Sequence, residues 1–530
     1  MRIFYPNEAP GGGNAPGSKK PPTLRLDQLE AIHRLNREMT TGSMSALVGA
    51  GMGSGKTVIS VEVILHTKPK RALIVGVRDA YNQWAKTFKE QGETRPLLKI
   101  DATVLGRDNL KMLLDGEDGL FYAGLEMLRA QDWGEVSETV TYTAESVAMF
   151  GGPASEVQVR QAQLMIYKKM KPLDLLISDE AHRHSNQKAA GLKTLETIKT
   201  KRKIALSGTF FGNKFENAWS LSTWLWGKAV IGTKGDFERE FCVKIPLMSK
   251  DGMKPITTPG GFPLSKITGE RVPGEFVQTL PCYVFVATPI GPPPKPEIVK
   301  VTLGAEQRRQ YDEMEQMSLT YIPTAVSAVR EPLVADLTLT QRIRLRTAAL
   351  GAMTLLPGLD DEDPDKITFS PGCESSTLRA AYDVLHRPDW VGQKVLILTH
   401  SLPFANEVAR RIGQKYSVAL KTGETNPVQW EKDKAEFMEP GGVQYLVAVI
   451  SAVGTAMDGL QANCSKVLWL SEDENNVNNI QGSNRIWRDG VDLDNYAAVQ
   501  IIQKDTIAEG ILKKNRTHKA STMDSVAGKK

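Results

Sequence analysis

Residues 47–60 read "LVGAGMGSGKTVIS", four glycines set between a small apolar run and a β-branched one. A strand that runs into a glycine-rich turn and then a helix start leaves a row of backbone N–H groups facing one concave space. The positive end of the helix lies at the same place, so the turn cradles phosphate. Gly51, Gly53 and Gly55 supply backbone angles that side chains forbid, and Ser54 belongs to the same cradle. Lys56 can reach terminal phosphates and the Thr57 hydroxyl can ligate magnesium.

The spacing is that of a P-loop, with Ala50 where the strict pattern has its first glycine. A nucleotide with magnesium is the expected cofactor pair. A second landmark supports this. In "LLISDEAHRH" (175–184), Asp179 and Glu180 follow a hydrophobic strand directly, where the carboxyl end of a buried parallel strand opens onto a ligand crevice. Asp179 can hold magnesium, and Glu180 can orient and deprotonate an attacking water.

Composition sets the bounds. At 530 residues the chain has room for about three to four domain-sized units, and its 41% hydrophobic content is ample for buried cores. No apolar run approaches the roughly 20 residues needed to cross a bilayer, so no membrane role is expected and the protein reads as soluble. The four cysteines stand apart with no C-x-x-C pair, which points away from zinc and disulfides and toward a reducing cytoplasm. A net charge of +5 is compatible with a nucleic-acid groove and decides nothing alone.

Two α/β blocks surround a mixed middle. Residues 1–22 read as a flexible tail of Gly, Pro and Lys. From 23 to 232, runs such as "ALIVGV" (72–77) and "LDLLIS" (173–178) alternate with helical patterns, the mark of a parallel sheet. A polar stretch at 133–165 interrupts this block as an insertion. Residues 233–372 form an insert and linker. Its first part, to about 300, reads as loops or a β-hairpin; 304–355 shows helical periodicity, and 357–372 is an acidic linker. A second block at 373–512 is announced by "KVLILTH", "YLVAVIS" and "SKVLWLS", and 513–530 reads as a basic tail, solvated or touching phosphates.

With these motifs in order, residues 24–515 resemble the superfamily-two helicases, and among them the Swi/Snf-like DNA translocases of phage or bacterial type. "LRLDQLEAI" is similar to the family's glutamine motif, which makes Gln28 the implied adenine reader. "GMGSGKT" and "DEAH" resemble the first and second motifs, and the family tolerates alanine at position 50. "RALIVGVRDAYNQWAKTFKEQ" resembles the Ia segment. In "LSGTFFGNKFENAWSLSTWLWG" Ser207, Gly208, Thr209, Asn213 and Trp219 match the third motif, while Phe210 replaces its proline. "PPKPEIVKVTLGAEQRRQYDEM" looks like the bridge between lobes of Swi/Snf-like proteins. "LKTGETNPVQWEKDKAEFM" is similar to the family's Gly-x-Thr segment, and "SAVGTAMDGLQAN", with Gly454 and Thr455, to its fifth motif. "QGSNRIWRDG" resembles the sixth, whose spacing would put Gln481, Arg485 and Arg488 on one helical face.

The resemblance implies two RecA-like lobes with a mixed insert, ATP and Mg2+ between them, and arginines that stabilise charge on lobe closure. His182, Ser207, Thr209, Gly454 and Thr455 are the implied DNA-contacting or coupling residues. The implied activity is ATP-dependent movement along duplex, forked or branched DNA, by a monomer in the cytoplasm of a bacterial or phage-infected cell. An RNA helicase and a nucleotide-gated DNA clamp without translocation are the alternatives. Met457-Asp458-Gly459 and Asp489-Gly490 depart from the chromatin enzymes, which turns the expectation from nucleosome remodelling to a compact motor. Trp219, Trp224 and Trp226 suit lobe packing at their helical spacing, with base stacking as the alternative.

Overall fold

The structure, a computed structural model, describes residues 24–527 except 52, 129–169, 186–189, 210, 211, 213, 250–253, 259, 260, 262, 326, 357–366, 454–456 and 458. The tail at 1–22 and the insertion at 133–165 lie outside the described residues. Strands β1 (Ser45–Ala50), β2 (Arg71–Gly76), β3 (Leu97–Ile100), β4 (Gly119–Gly124), β5 (Leu175–Ser178) and β6 (Lys203–Ser207) come first. A hairpin of β7 (Cys242–Pro246) and β8 (Ser265–Glu270) follows, then β9 (Tyr283–Val286).

Seven of these strands form one parallel sheet in the order β3-β4-β2-β5-β6-β1-β9. Every residue of β1, β2 and β5 is buried. The side chains alternate between two cores: Leu47, Leu73, Val75 and Leu176 pack on one face, and Val48, Ile74 and Ile177 on the other. Helices cover both faces, which is why these strands read as unbroken apolar runs. Each fully buried Leu, Ile or Val stabilises the lobe by about 1.5–3 kcal/mol.

The rest of the chain builds β10 (Glu297–Val301), β11 (Leu319–Thr324), β12 (Ser327–Val334), β13 (Thr354–Leu355), β14 (Ile367–Thr368), β15 (Val395–Thr399), β16 (Val418–Lys421), β17 (Tyr445–Val449), β18 (Lys466–Trp469) and β19 (Ala497–Gln503). Six of them form a second parallel sheet, β10-β19-β18-β15-β17-β16. The fold is therefore α/β with two RecA-like lobes. A separate four-stranded sheet, β12-β11-β13-β14, packs with helices Ala305–Met317 and Thr338–Ala348 around Tyr311, Met314, Ile322, Leu333 and Met353.

The structure departs from the sequence reading at four places. Residues 283–286, read as part of the irregular insert, form β9 and extend the first sheet beside β1. Residues 297–301 form β10 and belong to the second sheet through β19. Both strands are short and flanked by Pro and Gly, so local composition masks them; pairing with a buried neighbour supplies the missing stability. Helices account for only part of 304–355, because β11 and β12 pair there as an antiparallel hairpin despite Pro323 and Pro332. The basic stretch from 513 continues the helix Ile507–Ala527 rather than leaving the fold as a tail.

Candidate functional site

The helix Lys56–Thr67 begins at Gly55, which has φ 92° and gives no side-chain cap. Only glycine takes this angle without strain, and an uncapped helix start keeps its first N–H groups for a ligand. A Cβ at Gly55 would also lie 2.3 Å from Gln28 Nε2. The Gln28 side chain accepts from Arg25 N at 3.0 Å and donates to the Ser54 carbonyl at 2.8 Å. The residue implied to read adenine thus braces the turn with its amide nitrogen and caps the start of its own helix with its amide oxygen. Within the turn Ser54 Oγ donates to the Gly51 carbonyl at 2.6 Å.

β5 delivers Asp179 and Glu180 opposite this turn. Lys56 Nζ donates to Glu180 Oε1 at 2.9 Å, and Glu180 Oε2 lies 3.3 Å from His182 Nδ1. That nitrogen is also 3.0 Å from Ser207 Oγ, at the end of β6. Glu180 itself sits at φ 48°, an uncommon angle for a residue with a Cβ. Burial alone would raise its carboxyl, yet the Lys56 ammonium, with His182 and Arg183, brings it down to about 2. Burial pushes the His182 imidazole down to about 4 against the opposing pull of Glu180. Asp179 is held above the usual carboxylate range by burial and by the neighbouring Glu180 charge. Its Oδ2 accepts from Trp84 Nε1 at 3.0 Å, and its Oδ1 from Glu180 N at 2.9 Å.

The second lobe completes the wall. A cleft of about 250 Å³ is lined by Gly53, Gly55, Lys56, Thr57, Asp179 and Glu180 from the first lobe and by Arg485 and Arg488 from the second. A Cβ on Gly53 would lie 3.7 Å from Arg488 Cγ, so the arginine packs directly over the P-loop. Arg485 is only 2% exposed.

One part of the sequence reading is corrected here. The helix Asn476–Ser483 ends before either arginine, and Arg485 and Arg488 lie in the turns beyond it, so the three residues do not share a helical face. The turns beyond the helix place the two arginines instead, and Arg488 Nε donates to the Asn484 carbonyl at 2.6 Å. Gln481 is buried on that helix, away from the cleft wall.

Among the other sequence-derived residues, Ser207 and Thr209 are buried, with Thr209 N donating to Ser207 Oγ at 3.1 Å. Gly454, Thr455 and Asn213 lie outside the described residues. His184 pairs with Ser178 Oγ at 3.0 Å. Trp219 and Trp224 are core residues, and Trp226 Nε1 donates to the Ser45 carbonyl at 3.2 Å. They pack the lobe. Sequence reading missed Trp84 and Gln83, although both lie in the quoted Ia segment; a Trp on the helix after a buried parallel strand was the available signal.

A resident nucleotide fits this donor set. The uncapped turn and Lys56 would answer phosphate charge. Among the described residues no group of three His, Cys, Asp or Glu converges on a metal position. A magnesium ion would rest on Thr57, Asp179 and the phosphates themselves, which is how this ion is commonly held.

Residues 28–258 match the family model described as SNF2-related domain. A 191-residue stretch is 22% identical to the SNF2 domain-containing protein CLASSY 4 of Arabidopsis thaliana, covering 35% of this chain and 16% of that protein. The Sulfolobus solfataricus SWI2/SNF2 ATPase core in complex with dsDNA aligns at 16% identity with a TM-score of 0.38, over 96% of this chain and 95% of that one. The likeness to a SNF2-related domain thus spans residues 28–258 of the 530-residue chain.

Proposed function

We propose that this protein is an ATP-driven DNA translocase. The observation that carries the reading is the shared cleft: Lys56, Thr57, Asp179 and Glu180 of one lobe face Arg485 and Arg488 of the other. ATP with Mg2+ would supply the bond whose cleavage drives lobe movement. Lys56 exchanges Glu180 for phosphate oxygens, which frees the Glu180 carboxylate to orient water and accept its proton. Thr57 and Asp179 would hold the ion, and Trp84 fixes the Asp179 carboxylate in place. Arg485 and Arg488 stabilise developing charge when the lobes close. His182, between Glu180 and Ser207, carries the state of the site to the end of β6.

Duplex, forked or branched DNA is the proposed track, on the strength of the SNF2-related domain. Phosphate contacts would make stimulation nearly independent of sequence and steeply dependent on salt. The test is ATP hydrolysis measured alone and with single-stranded, duplex and forked DNA and with RNA, paired with displacement of a third strand from a triplex. Strong duplex or fork stimulation with ATP-dependent displacement, abolished in Glu180→Gln while nucleotide binding survives, is the expected result. Stimulation by RNA alone would replace the DNA reading, and DNA stimulation without displacement would favour a clamp.

A further inference from the structure

A second cavity, of about 480 Å³, lies behind the helix Asn476–Ser483 and shares no residue with the ATP cleft. One wall is the strap Pro292–Pro296 that crosses between the lobes; the others are Trp469, Tyr496 and Ile480, with the helix Ile507–Ala527 contributing Asn515 and Arg516. The strap is pinned at its start, where Trp487 Nε1 donates to the Gly291 carbonyl at 2.9 Å, and Trp487 meets Tyr496 edge-on at 4.7 Å. Prolines facing aromatic rings make a preformed apolar slot suited to a flat ring.

Two wall residues keep unmade hydrogen bonds. Asn476 is 4% exposed and its Nδ2 has no partner among the described residues; Asn515 is 3% exposed and its Oδ1 has none. The Asn515 orientation is fixed by its other end, where Nδ2 donates to Glu472 Oε2 at 2.8 Å and to the Asp473 carbonyl at 2.9 Å. Buried polar atoms are nearly always paired, so an orphan donor and an orphan acceptor on one cavity wall mark a place for a guest. The torsion of a terminal amide is broad, which lets Asn476 turn its free donor to a ligand, while the fixed Asn515 amide holds its free acceptor in place. The acid on the wall is already answered, since Glu472 Oε1 accepts from Gln500 Nε2 at 2.8 Å. Lys295 and Arg516 stand exposed at the mouth. The interior thus asks for a neutral flat ring offering one acceptor and one donor, and the mouth for an anion.

We propose that this cavity binds a purine nucleotide, the base inserted between the proline strap and Tyr496 and the phosphate held at Lys295 and Arg516. The inference goes beyond the ATP cleft and adds a second nucleotide site. The same chemistry is offered by a free mononucleotide and by the unpaired end of a strand. Because the cavity backs the helix that leads to Arg485 and Arg488, its occupant is placed to alter turnover, a consequence that rests on the proposed function. Binding itself does not.

The test is calorimetric titration with GMP and with guanosine of the full chain carrying Lys56→Ala, which blocks the ATP cleft by removing its phosphate-binding ammonium and leaves the second cavity untouched. One saturable GMP site is expected to remain. Asn476→Asp, which replaces the donor by an acceptor, should weaken both probes about tenfold, equal to about 1.4 kcal/mol. The paired surface change Lys295→Ala with Arg516→Ala should weaken GMP while leaving guanosine unchanged, and its exposed positions keep the fold intact. A short oligonucleotide with a frayed purine end, titrated against GMP, separates the sources: competition at equal or better affinity assigns the strand end, and no competition assigns the free nucleotide. Absence of GMP binding with the cleft blocked, or binding indifferent to all three substitutions, overturns the proposal. Either result leaves the ATPase assay, and hence the translocase reading, untouched.

Discussion

The two lobes begin comparable helices in opposite ways. After β1 the chain turns through Gly55 at φ 92° into Lys56–Thr67 with no side-chain cap. After β15 it turns through Ser401, whose Oγ accepts from Phe404 N at 3.3 Å and caps the helix Leu402–Ile412. Ser375, Asn426 and Asn475 cap three more helices of the second lobe in the same manner. Nearby, His400 Nδ1 pairs with Ser471 Oγ at 2.8 Å, and burial, with the Arg346 charge, holds that imidazole well below its ordinary range. One architecture therefore occurs twice, but only one turn leaves its amides open to an anion. The second lobe directs its helix starts to its own stability and contributes arginines from turns instead.

The contrast can be broken most forcefully from the arginine side. Arg485→Ala and Arg488→Ala should each lower ATP turnover by about 10³-fold, the scale of arginine-finger loss. Nucleotide affinity measured with a fluorescent analogue should stay near wild type, because in the proposed function the first lobe would hold the phosphates. Equal losses in affinity would mean that the lobes share binding rather than divide it.

Lys56→Ala should cost about 10² to 10³ in turnover and weaken nucleotide affinity as well, which separates it from the arginine variants. Steady-state phosphate release and equilibrium binding read the two effects apart.

The buried first-lobe network should also show in acid stability. The folded value of about 4 for His182 lies below the ordinary 6.5. The unfolded chain therefore takes up the proton first as pH falls, and stability present above 6.5 declines toward 4. The loss amounts to about 2 to 3 kcal/mol. Urea melts across this window should have a slope with pH that His182→Gln reduces; an unchanged slope would place the effect elsewhere.

Trp84→Phe keeps the ring in the core but removes the bond to Asp179 Oδ2. Turnover should fall about tenfold, in line with the loss of an outer partner to a metal ligand. The magnesium concentration needed for half-maximal rate should rise with it, a change that simple loosening of the core would not produce.

The smallest effect belongs to the capped turn. Ser401→Ala should destabilise the chain by about 1 kcal/mol and leave turnover per folded molecule unchanged, in contrast to any change at Lys56.

Much of the site was legible because it is local. The row Gly51, Gly53, Gly55, Lys56 and Thr57 lies within one strand-turn-helix passage, where backbone sterics alone dictate glycine, and Asp179 and Glu180 abut a strand whose apolar run announces burial. The alternation of apolar runs and helical patterns likewise determined two parallel sheets, since strands buried on both faces admit little else.

What tertiary structure decided were relations between distant segments. Trp84 meets Asp179 across 95 positions of sequence, Gln28 turns to Ser54 rather than to an open cleft, and β9 and β10 exist through partners that local composition does not name. The arginines follow the same logic. Spacing suggested a helical face, but the helix stops at Ser483, and the packing of Arg488 over Gly53 positions them from turns. Local propensity and spacing act over a few residues, whereas a pairing partner, a buried hydrogen bond or a cleft between lobes comes into being only when the chain is brought together.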